Sequence, residues 1–210
     1  MDNIPSSFDE EIDLVGRTSD INIKDSRTYY IYSSSNDPEW VWTKKIQVNG
    51  SKAAPHIFLD NVNIQVKEDA KTPAIELHGK ASAYLYFINR DSKLTGATGR
   101  AAIQKNRSEG QLCVQVMKGT TVTCQGGFAG AGIGGGMNGD SGNILIKDTT
   151  LTALAFPLYQ DYGYTELSAS AVGRGSNRAY YMAVMQDQEF AMIIDCLLYT
   201  SPSPRDRSLS

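Results

Sequence analysis

Nine of the chain's 19 glycines fall in one stretch, Gly126 to Gly142. Glycine at that density disfavours a helix by about 1 kcal/mol per residue. It also lets the backbone turn through φ > 0 and lets neighbouring backbones approach with no Cβ between them. Runs of β type flank the stretch: Thr120-Thr-Val-Thr-Cys124 before it, Asn143-Ile-Leu-Ile-Lys147 and Thr150-Leu-Thr-Ala-Leu154 after it. The segment therefore reads as a corner, a very short strand from Ala131 to Gly134, and a second corner.

From Asp20 onward apolar residues alternate with polar ones, the period of strands. Candidate strands are Ile21–Ile23, Thr28–Tyr32, Val41–Val48, Ile57–Leu59, Val62–Val66, Ala74–Leu77, Ala83–Phe87 and Lys93–Thr95, with Asp60-Asn61 suited to a corner. The one exception is Phe8 to Val15, which is read as a turn or two of helix capping the core.

The pattern also repeats. Ala102-Ile103-Gln104 aligns with Gly132-Ile133-Gly134, 30 residues on, and with Ala171-Val172-Gly173 a further 39 on. Val114 and Val116 fall 30 residues before Ile144 and Ile146, Thr120–Thr123 falls 29 before Thr149–Thr152, and Ile75 falls 28 before Ile103. A fixed period of this size marks a solenoid, whose units bury their apolar faces only by stacking.

The fold expected is all-β: a right-handed parallel β-helix with three short strands per turn of about 30 residues, equivalent strands about 4.8 Å apart. Its inward residues would be Leu59, Ile64, Ile75, Leu77, Leu85, Phe87, Ile103, Val114, Val116, Val122, Ile133, Ile144, Ile146 and Leu151. The competing antiparallel sandwich would use Asn49-Gly50 and Asn138-Gly139 as hairpin turns, but the register of the repeats opposes it.

Phe58-Leu-Asp-Asn-Val-Asn-Ile64, Gly99-Arg-Ala-Ala-Ile-Gln104 and Gly130-Ala-Gly-Ile-Gly-Gly-Gly136 with Asn143-Ile-Leu-Ile146 resemble bacterial surface or secreted β-helix proteins of the adhesin-like, carbohydrate-binding type. The resemblance runs from about Asp20 to Gly173. It implies a right-handed parallel β-helix acting as a module of a larger protein, extracellular or at the cell surface. The repeat around Ala171-Val-Gly-Arg174 is degenerate, and Ala179 to Ile194 alternates only loosely.

At the other end of the chain, Cys196-Leu-Leu-Tyr-Thr-Ser-Pro-Ser-Pro-Arg-Asp206 resembles one translated frame of a common transposase sequencing adapter. Residues 196–210 are accordingly read as a non-native, disordered tail. The expected organisation is an N-terminal segment, 1–19, then the β-helix, 20–195, truncated at its C-terminus, with further domains belonging to a longer protein. No basic and apolar leader is visible in the first residues, Met1 to Gly16.

Lys and Arg number 20 against 23 Asp and Glu, a net charge of −3. A mildly acidic chain with no basic stripe argues against nucleic acid as partner, and no apolar run reaches the ~18–20 residues of a membrane span. Cys113 is expected on the outer face and Cys124 in the core, so a disulfide between them is not expected.

Motifs for chemistry are weak. Gly130-Ala-Gly-Ile-Gly-Gly135 satisfies the dinucleotide pattern but lacks the helix that pattern needs. Gly139-Asp-Ser-Gly142 resembles a serine-protease nucleophile segment, yet Ala54-Pro-His-Ile57 is not that family's histidine context. His56 and His78 are too few for a transition-metal cluster. No cofactor is expected, with calcium at Asp60, Asp69 or Asp140 as the weaker reading. The outward acids Asp60, Glu76, Asp91, Asp148 and Glu166 are spread over different turns, whereas glycoside hydrolysis needs a facing pair. Thr121 and Thr123, over Thr150 and Thr152, read as cross-strand pairing rather than an ice-binding array.

Solenoid insertions often mark the binding side. Here nine extra residues fall at Phe156 to Tyr164. Tyr159, Tyr162 and Tyr164 are candidate sugar-stacking residues, with Gln160 and Asp161 for hydroxyls, and Trp40 and Trp42 are a second candidate platform. The function expected is a non-catalytic surface module that binds polysaccharide or mediates adhesion. The alternatives are a β-helix polysaccharide lyase or glycoside hydrolase, and a purely structural stalk.

Overall fold

The period-two alternation becomes short parallel strands that recur in fixed order around one axis. The computed structural model describes residues 4–147, 151–155, 171–173 and 192–194. A first sheet stacks β1 (Glu10–Asp13), β3 (Thr28–Tyr32), β5 (His56–Asp60), β8 (Ala83–Phe87), β11 (Leu112–Val116) and β14 (Ile144–Lys147) in parallel, and β17 (Met192–Ile194) joins β14 antiparallel. A second holds β6 (Asn63–Gln65), β9 (Ser92–Thr95), β12 (Val122–Gln125) and β15 (Leu151–Leu154). A third holds β2 (Ile21–Ile23), β4 (Ile46–Asn49), β7 (Ile75–His78), β10 (Ile103–Lys105), β13 (Ile133–Gly134) and β16 (Val172–Gly173). The chain visits the sheets in that order, so each circuit adds one strand to each. The result is a parallel β-helix of about five turns.

The register is the predicted one on the third sheet, where Ile75, Ile103, Ile133 and Val172 lie in one row. On the second sheet Val122 pairs with Leu151 and Thr123 with Thr152. The inward residues read from the sequence are buried, and the half-buried Leu151 packs against them. At roughly 1.5–3 kcal/mol per buried aliphatic, they pool into one continuous core.

Four details differ from expectation. Phe8 to Val15 is not helical: Glu10–Asp13 is the edge strand of the first sheet, pairing with Tyr29–Tyr32. Ile12 and Leu14 alternate into the core while Phe8 lies on Tyr30 outside, so the period there is two. The Val41–Val48 strand breaks into an isolated bridge, Trp42 to Ile64, and β4. Val114 pairs with Ile146, 32 residues on, rather than with Ile144, which faces Leu112. Cys113 sits off the core beside Tyr84 but is buried, not exposed.

The corners explain the glycines. A Cβ on Gly126 would run into the Ala131 carbonyl, and one on Gly127 into that of Ala97 on the circuit beneath. In Gly130 and Gly134 the obstructing groups are the carbonyls of Arg100 and Gly173. The stretch is glycine-rich because successive corners touch backbone to backbone.

Candidate functional site

A parallel β-helix shows three outer faces, and their side chains differ. The outer face of the first sheet is aromatic. Tyr30, Phe58 and Tyr86 share one register row, and His56 and Tyr84 another. The rings lie on one another: Phe58 on Tyr86 at 4.6 Å and 14°, His56 on Tyr84 at 4.6 Å and 11°, Tyr30 on Tyr32 at 4.9 Å and 18°. Phe8 covers Tyr30 at 4.9 Å. These are ordinary stacking separations. The faces a sugar would need are thus turned on neighbouring rings, so this surface is a packing ladder.

Next to it, Asp60 is buried and takes Tyr30 Oη at 2.7 Å, Asn89 Nδ2 at 2.9 Å and Arg90 Nε at 2.8 Å. Arg90 also donates to the Ser33 carbonyl at 3.1 Å. Asp60 is therefore a structural tie between corners, with its oxygens occupied.

The second sheet is different. Its outward positions form two rows: Gln65, Thr95, Gln125 and Leu154, and Asn63, Lys93, Thr123 and Thr152. Beside the first row, where the chain turns toward the third sheet, lies a groove of about 570 Å³. Gln65, Thr95, Gln125, Lys93, Glu68 and Phe128 are among the residues that line it. The rows place the amide and hydroxyl groups one strand spacing apart, about 4.8 Å. Glu68 opens a single 3-10 turn (Glu68–Ala70), and Phe128 tops the glycine corner, whose carbonyl accepts Gly99 N–H at 2.7 Å.

The side chains of Gln65, Thr95 and Gln125 make no hydrogen bond among the described residues. The Lys93 ammonium has no ion-pair partner there, and Phe128, half-buried, has no stacked neighbour. An amide and hydroxyl row beside an open aromatic ring can hydrogen-bond a polyol and cover its apolar side. Glu68 is the lone carboxylate among the described lining residues, so the groove shows no facing acid pair of the kind glycoside hydrolysis uses.

The sequence-predicted residues fall elsewhere. Trp42 is 3 % exposed, its indole N–H donating to the Arg17 carbonyl at 2.8 Å, and it has no face left for a sugar. Trp40 is half-buried against the core. Tyr159, Gln160, Asp161, Tyr162 and Tyr164, with Asp148 and Glu166, lie outside the described residues. Glu76 is paired with Lys45 at 2.9 Å, and Asp91 accepts the Thr121 N–H at 2.7 Å. Among the described residues no group of three or more His, Cys, Asp or Glu is placed to hold a metal. No helix follows β13, so the glycine run lacks the element a dinucleotide site requires. Both Cys113 and Cys124 are free thiols, and burial raises the Cys124 pKa strongly. No helix among the described residues is long and apolar enough to cross a membrane.

Sequence reasoning passed over the groove although its signal was present. Gln65, Thr95 and Gln125 are spaced 30 apart, as are Asn63, Lys93 and Thr123. Phe128 is the one aromatic in the glycine stretch. Set against known proteins, the chain matches no family model, no curated protein and no solved structure.

Proposed function

We propose that this β-helix is a non-catalytic carbohydrate-binding module, of adhesive use at a cell surface, that holds an extended glycan along the groove of the second sheet. The observation that carries the reading is the row Gln65, Thr95, Gln125. Its amides and hydroxyl face the groove with no protein partner, beside the open ring of Phe128. Polar groups left unpaired by the protein and repeated along an axis suit a polymer of repeating hydroxyls. The single carboxylate favours binding over hydrolysis.

A glycan array with the full chain tests this. Selective binding by the wild type is expected. Gln125→Ala should weaken it about fivefold, the worth of about one hydrogen bond, and Phe128→Ala about tenfold. Gln47→Ala, on the outer face of the third sheet, should bind as wild type. No selective glycan, or full binding by both groove variants, overturns the reading and leaves the structural stalk. Loss on Tyr162→Ala alone moves the site to the Phe156 to Tyr164 insertion and equally overturns the groove.

A further inference from the structure

The groove does not end at Glu68. On the other side of the Glu68–Ala70 turn a second hollow, about 400 Å³, is lined by Asp20, Thr43, Lys44, Lys45, Lys67 and Thr72 together with Ala70. Ala70 borders this hollow and Glu68 borders the groove, so the two are consecutive stretches of one edge, running parallel to the solenoid axis.

Three lysines mark the hollow, and their partners separate them. The Lys45 ammonium is held by Glu76 at 2.9 Å, with both side chains about four-fifths buried. Asp20 receives the Lys45 backbone N–H at 3.2 Å. Lys44 and Lys67 are exposed and take no ion pair among the described residues. Lys93, in the groove, is in the same position. Lys44, Lys67 and Lys93 stand on three successive circuits of the helix, following Trp42, Ile64 and the Asn89 corner in turn. Their ammonium groups therefore recur along the edge in step with the strands.

The chain as a whole carries a net charge of −3. Three uncompensated cations along a single edge of such a molecule concentrate positive potential where a polymer would lie. A neutral glycan gains little from them. We infer that the ligand of the groove is a polyanionic glycan, with carboxylate or sulfate groups repeating along its chain, whose anions meet Lys44, Lys67 and Lys93. This rests on the proposed glycan-binding function and names the substrate class of the same site.

Titration calorimetry of the full chain with three hexasaccharides tests it: oligogalacturonate, chondroitin sulfate and neutral cello-oligosaccharide. At least one of the two acidic ligands should bind about tenfold or more tightly than the neutral one, and which does so names the anion. Its affinity should fall as salt rises, since exposed charges are screened beyond ~8–10 Å. The double variant Lys44→Gln/Lys67→Gln should lose roughly tenfold toward the acidic ligand and nothing toward the neutral one. Lys44→Arg/Lys67→Arg should restore binding, and unchanged melting excludes a folding defect. Equal or tighter binding of the neutral ligand overturns the inference and leaves the proposed function standing. Full acidic binding by the Lys-to-Gln pair overturns it as well. No binding of any of the three overturns both.

Discussion

Tyr29 faces the core at 3 % exposure yet keeps its hydroxyl in a polar corner. Its Oη donates to Asp25 at 2.8 Å and accepts from Arg27 Nη2 at 3.1 Å. Burial first, and the hydrogen bond to Asp25 second, push the Tyr29 pKa up from 10.0 to about 12. An unfolded chain would ionise this tyrosine near pH 10. The contribution is thus fully present below about pH 10 and is lost as pH rises through about 12. Urea midpoints measured at about pH 9 and about pH 11.5 should separate for the wild type and separate less for Tyr29→Phe. Equal pH sensitivity in the two proteins would count against the assignment. Burial followed by the Asp60 hydrogen bond raises Tyr30 in the same direction, so some alkaline loss should persist in Tyr29→Phe. Alternation in Thr28-Tyr-Tyr-Ile-Tyr32 was enough to say that Tyr29 and Ile31 point one way. That Asp25 reaches Tyr29 was not legible, because it depends on the turn between β2 and β3.

At the scale of elements, what alternation can and cannot say is visible in two strands. A slip of two residues leaves every side chain on its own face. The apolar pattern therefore placed Val114 and Ile146 inside but could not choose between Ile144 and Ile146 as the partner of Val114. The choice is made by the corner after β13, where Ile133 to Ile144 spans two residues more than Ile103 to Leu112. Phe8 to Val15 misled in another way: Phe8 and Ile12 have helical spacing, but they lie on opposite sides of the first sheet. The glycine corners were legible as corners, but their cause was not, since the carbonyl that excludes a Cβ comes from another circuit. Gly127→Ala tests that cause. Its Cβ would meet the Ala97 carbonyl, a rigid backbone atom, and overpacking of this kind costs about 1–3 kcal/mol. Gly119 has φ +87 and open space around it, so Gly119→Ala carries backbone strain alone, about 1 kcal/mol. Denaturant midpoints should rank Gly127→Ala below Gly119→Ala. The reverse order would mean that the corners are not held by close stacking.

Across the whole molecule, each circuit contacts mainly the circuits before and after it, so stability is a sum of neighbour terms rather than one indivisible core. The two ends are then weaker than the middle, and the first circuit shows how such an end is managed. Its edge strand, Glu10-Glu-Ile-Asp13, presents charge along the open side, a known means of preventing edge-to-edge pairing. A cavity there and a cavity in the middle should behave differently. Leu-to-Ala or Ile-to-Ala changes at buried sites cost about 2–5 kcal/mol, but the consequence depends on position. Ile12→Ala should free the amides of β1 and β2 to exchange by local opening while β8, β10 and β11 stay protected. Leu85→Ala, in the row between Ile57 and Val114, should instead lower the protection of β5, β8 and β11 together and reduce the denaturant midpoint. Hydrogen exchange read by mass spectrometry distinguishes the two patterns. If Ile12→Ala accelerated exchange in β8 and β11 as much as in β1, the additive description would fail. The groove would then be no more rigid than the ends, whereas a site built on β6, β9 and β12 depends on the inner circuits holding their spacing when the outer ones open.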